Sequence, residues 1–352
     1  MIEIKLPFDA PPVLAVGAYL KNSVAAAKGR LACVSEAGNN LDSPDDIRRF
    51  KDELARMQDW LGVAPQRIAH DLHPDFPNTR HALALGIPTL AVQHHHAHVA
   101  AVAAEHGATG PLIGLALDGF GLGPGNQAWG GEVLLIDGPR FERLGHLLPL
   151  LQPGGDVAAR QPWRMAAAVM HALGRSNEIA QRFSDQPGAA ILAQMLTKGL
   201  NCPPTTSCGR LFDAACGLLG LMPVAEFEGQ APMALEALAT APEIMRDGWR
   251  IEGETLSFLP LLDRLDGMAP ALGANLFHGS LAEGLSVFAA QAAKGQRLDR
   301  IVLSGGCFLN KVLAAEMKSK LASQGLGVLT AQKLSPGDGG LALGQVWVAA
   351  LT

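Results

Sequence analysis

Residues 88–119, PTLAVQHHHAHVAAVAAEHGATGPLIGLALDG, decide the fold. The run over 88–93 is short and apolar, and reads as a buried strand. His94 to His106 is rich in alanine and reads as a helix. Pro111 to Gly119 is a second continuous apolar strand, ending in Asp118-Gly119. Strand, helix and strand in succession point to an α/β fold. Upstream, Ile47, Phe50, Leu54, Met57 and Leu61 follow helical spacing, and Ser43-Pro44 supplies an N-cap and a first-turn proline for a helix over 44–62. RIAHD, 67–71, is another short buried strand, with a helix over 78–85 behind it.

Two segments read as hairpins. In the first, Val13 to Val16 and Leu31 to Val34 flank a polar turn. In the second, AWGGEVLLI (128–136) answers the strand 111–119 across the loop GFGLGPGNQ. From about 160 to 295 the chain reads as mainly helical, with helices at 162–173, 189–199, 210–219 and 278–294. A strand at 300–305, a helix at 309–324 and a strand at 326–330 lead to SPGDGG (335–340) and a last helix. The expected architecture is a two-lobed α/β fold. An N-terminal lobe, 1–109, faces a C-terminal lobe, 110–352, that carries a helical insert at about 155–295. A nucleotide would lie between them.

The chain has 352 residues, 48% hydrophobic and 17% charged, against a usual charged share of about a quarter. That is enough apolar sequence for a large core, which usually divides beyond about 250–300 residues. A net charge of −5 argues against nucleic acid as a general partner. No apolar run reaches the ~18 residues of a membrane span, and MIEIKLPFD lacks the form of a signal peptide. The five cysteines are odd in number and show no zinc-knuckle spacing. Free thiols and a cytoplasmic location are therefore expected.

The strongest chemical signal is QHHHAH, 93–98. His94 and His98 share one face of a helix and can grip one metal ion. His95 and His96 point elsewhere and are expected to support the ligands or face substrate. Two glycine-flanked aspartates, Asp118 and Asp338, complete a four-donor set. Two imidazoles and two carboxylates suit a divalent ion such as Fe, Zn, Mn or Mg. Glycine-rich loops at 119–131 and 304–310 match neither a Walker nor a dinucleotide pattern, yet their backbone N–H groups could meet phosphate.

These stretches, with VGAYLKN (16–22), HDLHPDF (70–76), GGDVAARQPWRMA (154–166), SCGRLFDAACGLLG (207–220), FEGQAPMALEALA (227–239), FH (277–278), LSGGCFLN (303–310) and SPGDGGLALGQ (335–345), resemble the C-terminal carbamoyltransferase part of HypF hydrogenase-maturation proteins. The resemblance runs in order along nearly the whole chain. It implies the actin–Hsp70–sugar-kinase type of nucleotide-binding core. It also implies His94, His98, Asp118 and Asp338 as metal ligands. Gly119, Gly121, Gly123, Gly305, Gly306 and Asn310 would meet nucleotide, with Asp213 and Glu228 lining the same cleft. Lys21, Arg210, His95 and His96 would be the catalytic residues.

The implied activity is transfer of a carbamoyl group from carbamoyl adenylate, formed with ATP, to the C-terminal cysteine of HypE, on the route to the cyanide ligand of [NiFe]-hydrogenase. No nucleophile on the chain is needed, so Cys307 is expected to be a packing residue. Two departures stand out. No cysteine-rich run or further domain of the kind that makes the adenylate is present, so a separate YrdC-type domain or protein is expected to supply it. The family's usual Ser-Gln-His-Ile-Gly-Asp-Leu stretch is replaced in VSEAGNNLDSPDD, 34–46. That change leaves room for a different acceptor, such as a small-molecule hydroxyl. A nucleotide-binding paralogue without turnover is a third reading, and the intact four-donor set weighs against it.

Overall fold

β1 (Ile2–Ala15) and β2 (Ala25–Val34) pair antiparallel as the first hairpin. Both strands are longer than the apolar runs at 13–16 and 31–34. β1 continues back through Pro12, Pro11 and Pro7. Only its last residues, Val13–Ala15, pair on the other side, with β3 (Arg67–Asp71). The prolines thus lie where β1 has a partner on one side only, and register shifts absorb them. β3 runs parallel to β4 (Thr89–Val92), giving the order β2-β1-β3-β4. Between β2 and β4 lie α1 (Pro44–Leu61) and α2 (Pro77–Ala84). Ser43 caps α1, whose buried face is Phe50, Leu54, Met57 and Leu61. The computed structural model describes residues 1–352.

The second sheet repeats the plan. β5 (Leu112–Leu122) and β6 (Ala128–Asp137) form its hairpin, and β6 pairs with β7 (Arg140–Leu147). The short strands β8 (Leu150–Leu151), β9 (Pro204–Thr205), β10 (Arg250–Glu252) and β11 (Thr255–Ser257) follow. β12 (Arg300–Ser304) and β13 (Gly327–Thr330) complete it, parallel to one another and to β5. In each sheet a hairpin is thus followed by two parallel strands. The segment 155–295 is not helical alone, because β9 pairs with β6 and the β10–β11 hairpin joins the sheet beside β7. Strands of two or three residues carry no readable periodicity. The helix expected at 278–294 runs from Pro270 to Gln296.

α3 (His94–Glu105) lies between the sheets. Ala97, Ala100, Ala101 and Ala104 face the first sheet's core; Val99, Val102 and Ala103 face Leu112, Ala116, Leu134 and Val302 of the second. The expected boundary near 110 divides the two sheets in sequence, but the last helix, Leu341–Leu351, crosses it. Leu341, Val346 and Trp347 pack with Ile4, Val13 and Ala25 under the first sheet. That helix is buried from Leu341 through Ala349, so it needs cover on every face. Its contact with α3 is close. A Cβ on Gly344 would stand 1.8 Å from the Ala97 carbonyl oxygen.

Gly344→Ala should therefore destabilise the protein by about 1–3 kcal/mol or more, as over-packing does. Gly295→Ala, at an exposed helical position with open space around it, should stabilise by about 0.4–1 kcal/mol. Urea denaturation of the two variants, read as midpoint shifts of opposite sign, checks the contrast.

Candidate active site

Gln93 starts α3. Its Oε1 accepts from the His96 N–H at 2.8 Å, and its Nε2 donates to the Leu122 carbonyl at 3.2 Å. This cap fastens the helix start to the end of β5. His94 and His98 then lie one turn apart, both buried, with Nε2 atoms 3.1 Å from each other.

Three carboxylates surround the pair. Asp71, at the end of β3, places Oδ2 2.7 Å from His94 Nδ1, while its Oδ1 accepts from the His73 N–H at 2.9 Å. Asp118 sits where β5 loses register with β6, between Leu117 and Gly121. The expected hairpin end at Asp118-Gly119 is instead a bulge in a strand that continues to Leu122, and a bulge re-aims its side chain. Ser207 pins it by donating toward the carbonyls of Asp118 (3.1 Å) and Gly119 (2.6 Å). Asp118 Oδ2 lies 2.7 Å from His98 Nε2 and 3.8 Å from His94 Nε2. Asp338 brings Oδ1 within 3.4 Å of His98 Nε2 and 3.5 Å of His94 Nε2.

The set fits one divalent cation. With Asp71 accepting the Nδ1 proton of His94, that ring presents Nε2 as a lone pair. Asp118 Oδ2 is buried without a hydrogen bond of acceptable angle, close as it is to His98. Donors bound at about 2.0–2.2 Å to one ion stand roughly 3–3.6 Å apart. The spacings here run from 2.7 to 3.8 Å, and all four donor atoms lie within 4.8 Å of one another. Asp71 was not picked out from the sequence; its only signal there is an acid at the end of a short strand.

The electrostatics agree. Burial opposes a charge on His94, yet the nearby carboxylates of Asp71, Asp338 and Asp118 hold its pKa well above the usual imidazole range. His98 is raised against the same burial cost by the close carboxylates of Asp118 and Asp338. Asp118 is held well below the carboxylate range, and Asp338 below it, because the two imidazoles outweigh their desolvation. Without an ion the site therefore holds protons on its imidazoles.

The other expected residues divide. His95 is buried and kept neutral by that burial; its Nδ1 lies 3.0 Å from Gln93 Nε2. His96 is not brought to the cluster. Its Nε2 faces the Gly138 carbonyl at 3.2 Å, its ring packs on Phe141, and burial lowers its pKa to about 4. The reason is geometric, since neighbours in sequence on a helix point to different faces. Gly121 and Gly123 have packing tasks. A Cβ on Gly121 would meet His95 and His94 at 2.6–2.9 Å, and one on Gly123 would meet the Trp129 ring at 2.5 Å. At Gly305, with φ +102°, a Cβ would stand 2.2 Å from the Leu117 carbonyl oxygen. Gly119 has room instead, its nearest neighbour being Glu228 Oε1 at 3.8 Å, while a Cβ on Gly306 would crowd Asp118 Oδ1 at 3.0 Å. Asn310 caps the helix Lys311–Ser323 and its Nδ2 donates to His278 Nε2 at 3.0 Å, so its side chain is already engaged.

Charged groups ring the cleft. Arg210 Nε lies 2.6 Å from Asp213 Oδ2, off hydrogen-bond geometry. Burial raises the Asp213 carboxyl to about 6, although Arg210 opposes the shift. Glu228 keeps an exposed rim position; desolvation and the carboxylates of Asp338 and Asp118 raise it, against the charges of Arg210 and Lys21. Lys21 is exposed, at φ +42°, with its N–H on Asn40 Oδ1 at 3.1 Å. The Cys307 thiol is pushed well up by a hydrogen bond with Cys208 and by burial, which suits packing better than attack.

Two family descriptions match the chain. Residues 8–105 match the HypF Kae1-like domain, and residues 114–345 match the second subdomain of the carbamoyltransferase Kae1-like domain. Carbamoyltransferase HypF2 of Cupriavidus necator is 47% identical over 98% of this chain, and the match covers 47% of that protein. A carbamoyltransferase HypF homolog of the same organism is 45% identical over 97% of this chain and 92% of its own length. The crystal structure of full-length HypF in its phosphate- and nucleotide-bound form superposes with a TM-score of 0.92 at 29% identity, over 99% of this chain and 47% of that one. The chain thus spans about half the length of most of these proteins. No helix is long and apolar enough to cross a membrane.

Two outcomes are expected. Asp71→Asn should weaken binding of a divalent ion about 10–100-fold with the fold retained, as loss of a ligand's orienting partner does; a chelator-competition titration measures it. The second concerns pH. The raised imidazoles stabilise the metal-free protein fully below their unfolded value of 6.5 and lose that contribution as pH rises through their folded values. The lowered carboxylates contribute above their unfolded value of 3.8 and lose it as pH falls. The metal-free protein should accordingly lose stability from mildly acid to alkaline pH, while metal affinity rises and binding releases protons. Thermal unfolding with and without the ion, and calorimetry in buffers of different ionisation heat, test both signs.

Proposed function

This chain is a member of the HypF carbamoyltransferase family, and we propose that it transfers a carbamoyl group from carbamoyl adenylate to the terminal cysteine thiol of a HypE-type acceptor. A YrdC-type domain or protein would supply the donor. The observation that carries the reading is the four-donor cluster of His94, His98, Asp118 and Asp338, bordered by the side-chain-free backbones of Gly119 and Gly306. A divalent ion held there would act as a Lewis acid on a phosphoryl or carbonyl oxygen.

The chain's own groups account for the rest. Gly306 lets the phosphate approach the start of a helical turn, where N–H groups favour an anion. Lys21 and Arg210 supply positive charge to the cleft. In the transfer a bond forms between acceptor sulfur and carbamoyl carbon, the carbon–oxygen bond to the phosphate breaks, and AMP leaves with its charge. The thiol proton needs a base at the open side. Glu228 stands there, with a carboxyl raised toward working pH. The raised pKa of its thiol, set by a hydrogen bond with Cys208 and by desolvation, keeps Cys307 out of this scheme.

A second reading has one observation in its favour. The divergent residues 36–40 lie at the site: Asn40 holds the Lys21 N–H, and the Ala37 side chain stands 3.0 Å from where a Cβ on Gly339 would be. An altered rim next to Asp338 accommodates a different acceptor, such as a small-molecule hydroxyl.

Mass spectrometry of a HypE-type protein incubated with this chain and preformed carbamoyl adenylate should show a gain of one carbamoyl group. Absence of the gain, with carbamoylation of a hydroxyl compound instead, would favour the second reading. His94→Ala with His98→Ala should abolish both metal binding and transfer. Gly306→Val should weaken binding of AMP or ATP at least about tenfold by calorimetry, because its side chain enters the space beside Asp118.

A further inference from the structure

The end of α3 remote from the histidines carries a residue in an unfavourable place. Glu105 closes the helix, where the macrodipole disfavours a negative charge. Its carboxylate is occupied by three consecutive backbone N–H groups. Oε1 accepts from Lys333 at 3.0 Å and from Leu334 at 2.7 Å, and Oε2 accepts from Gln332. The next residue, His106, donates from Nε2 to the Thr330 carbonyl at 2.8 Å. One end of α3 thus grips the exit of β13 and the first residues of the loop that carries Asp338. The other end carries His94 and His98.

The same loop has a second fastening. The Pro336 carbonyl accepts from the Gly305 N–H at 2.8 Å, next to the end of β12. Between these two anchors and the turn Asp338–Gly340, the path of the backbone is set before the carboxylate of Asp338 is placed. Two of the candidate ligands therefore ride on α3 directly, and a third is referenced to the same helix through Glu105.

We propose that Glu105 is a positioning residue for Asp338: by holding the N–H groups of 332–334 it sets the distance from the Asp338 carboxylate to His94 and His98, and so the affinity of the site for a divalent cation. The proposal rests on the metal-site reading given above. Glu105 itself touches neither the cation nor substrate. Backbone N–H groups bound to a carboxylate form charge-assisted hydrogen bonds, so an amide in its place holds the loop less firmly and an alanine not at all.

The test is a Zn²⁺ titration against a chelating dye, run on the full chain with three variants. Glu105→Ala should raise the Kd about tenfold, the lower end of the effect of lost outer partners, because the Pro336 anchor remains. Glu105→Gln should fall between it and the unaltered protein. Arg175→Ala, which removes a distant ion pair with Asp266 at 2.8 Å, should lower thermal stability without moving the Kd. Hydrogen exchange of the Glu105→Ala protein should speed up over 332–338 while the α3 amides around His98 keep their protection. An unchanged Kd in Glu105→Ala, with Zn²⁺ bound normally by the unaltered chain, overturns the proposal and leaves the metal site standing. Failure of the unaltered chain to bind Zn²⁺ overturns both. If Glu105→Ala does not fold, Glu105→Gln decides: a weakened Kd supports the proposal and an unchanged one overturns it.

Discussion

Two imidazole nitrogens buried 3.1 Å apart among carboxylates favour positive charge between them. That constraint organises the site. The surrounding carboxylates favour protonation of the imidazoles, and a divalent cation would meet the same need at all four donors. The carboxylates outside the four-donor set matter as much as those within it. Asp71 fixes which nitrogen of His94 is bare. Glu132, fully buried, accepts from the N–H groups of Gly130 and Gly131 at 2.9 and 3.0 Å and is paired with Arg143. Its contact with Thr206 places the neighbouring Ser207, which clamps the bulge under Asp118. Removing one member of such a buried pair leaves an uncompensated charge, so Glu132 and Arg143 stand or fall together.

The helix that carries the imidazoles solves a packing problem first. α3 is covered by a sheet on each side and by the C-terminal helix, so it has no free face. Alanine lets its neighbours approach, and Gly114 and Gly344 remove the side chains that would hold them off; a Cβ on Gly114 would meet Val99 at 2.4 Å. A histidine in so dense a setting is costly unless each ring finds a partner. His94 and His98 find carboxylates, His96 finds a carbonyl, and His95 finds only Gln93 on one nitrogen, its Nε2 remaining without a partner. The run of imidazoles is therefore four separate environments, only two of which make the cluster.

The glycine-rich loops divide in the same way. Gly121, Gly123, Gly130 and Gly305 are close approaches of backbone to side chain or backbone, as their hypothetical Cβ contacts of 2.2–2.9 Å require. Gly119 and Gly306 border Asp118 instead, the first with room for a Cβ and the second where a Cβ would crowd its carboxylate at 3.0 Å. A glycine count in a loop thus overstates the surface open to phosphate, because a glycine that lets an anion in and a glycine that lets a tryptophan in look alike in sequence.

Much of this was legible in the amino-acid order. Helical spacing located α1 to within a residue, the alanine-rich run located α3, and the apolar runs located β3 to β6, β12, β13 and the paired ends of β1 and β2, but not β7 to β11. The i,i+4 histidines and the two glycine-flanked aspartates named the four donors that converge in space. These signals are local, or depend on residue types rare enough to stand out. What the order left open is what distance in sequence hides. Asp71 and Glu105 are ordinary acids until folding brings one to His94 and the other to residues 332–334. The length of β1 depended on which side of each proline faces a partner strand. The partners of His96 and Asn310, a carbonyl and a helix N-terminus, were likewise set by folding. Periodicity reports which face of an element is buried, but only the packed structure decides what is buried against it, because that depends on which atoms reach each other within a few ångströms.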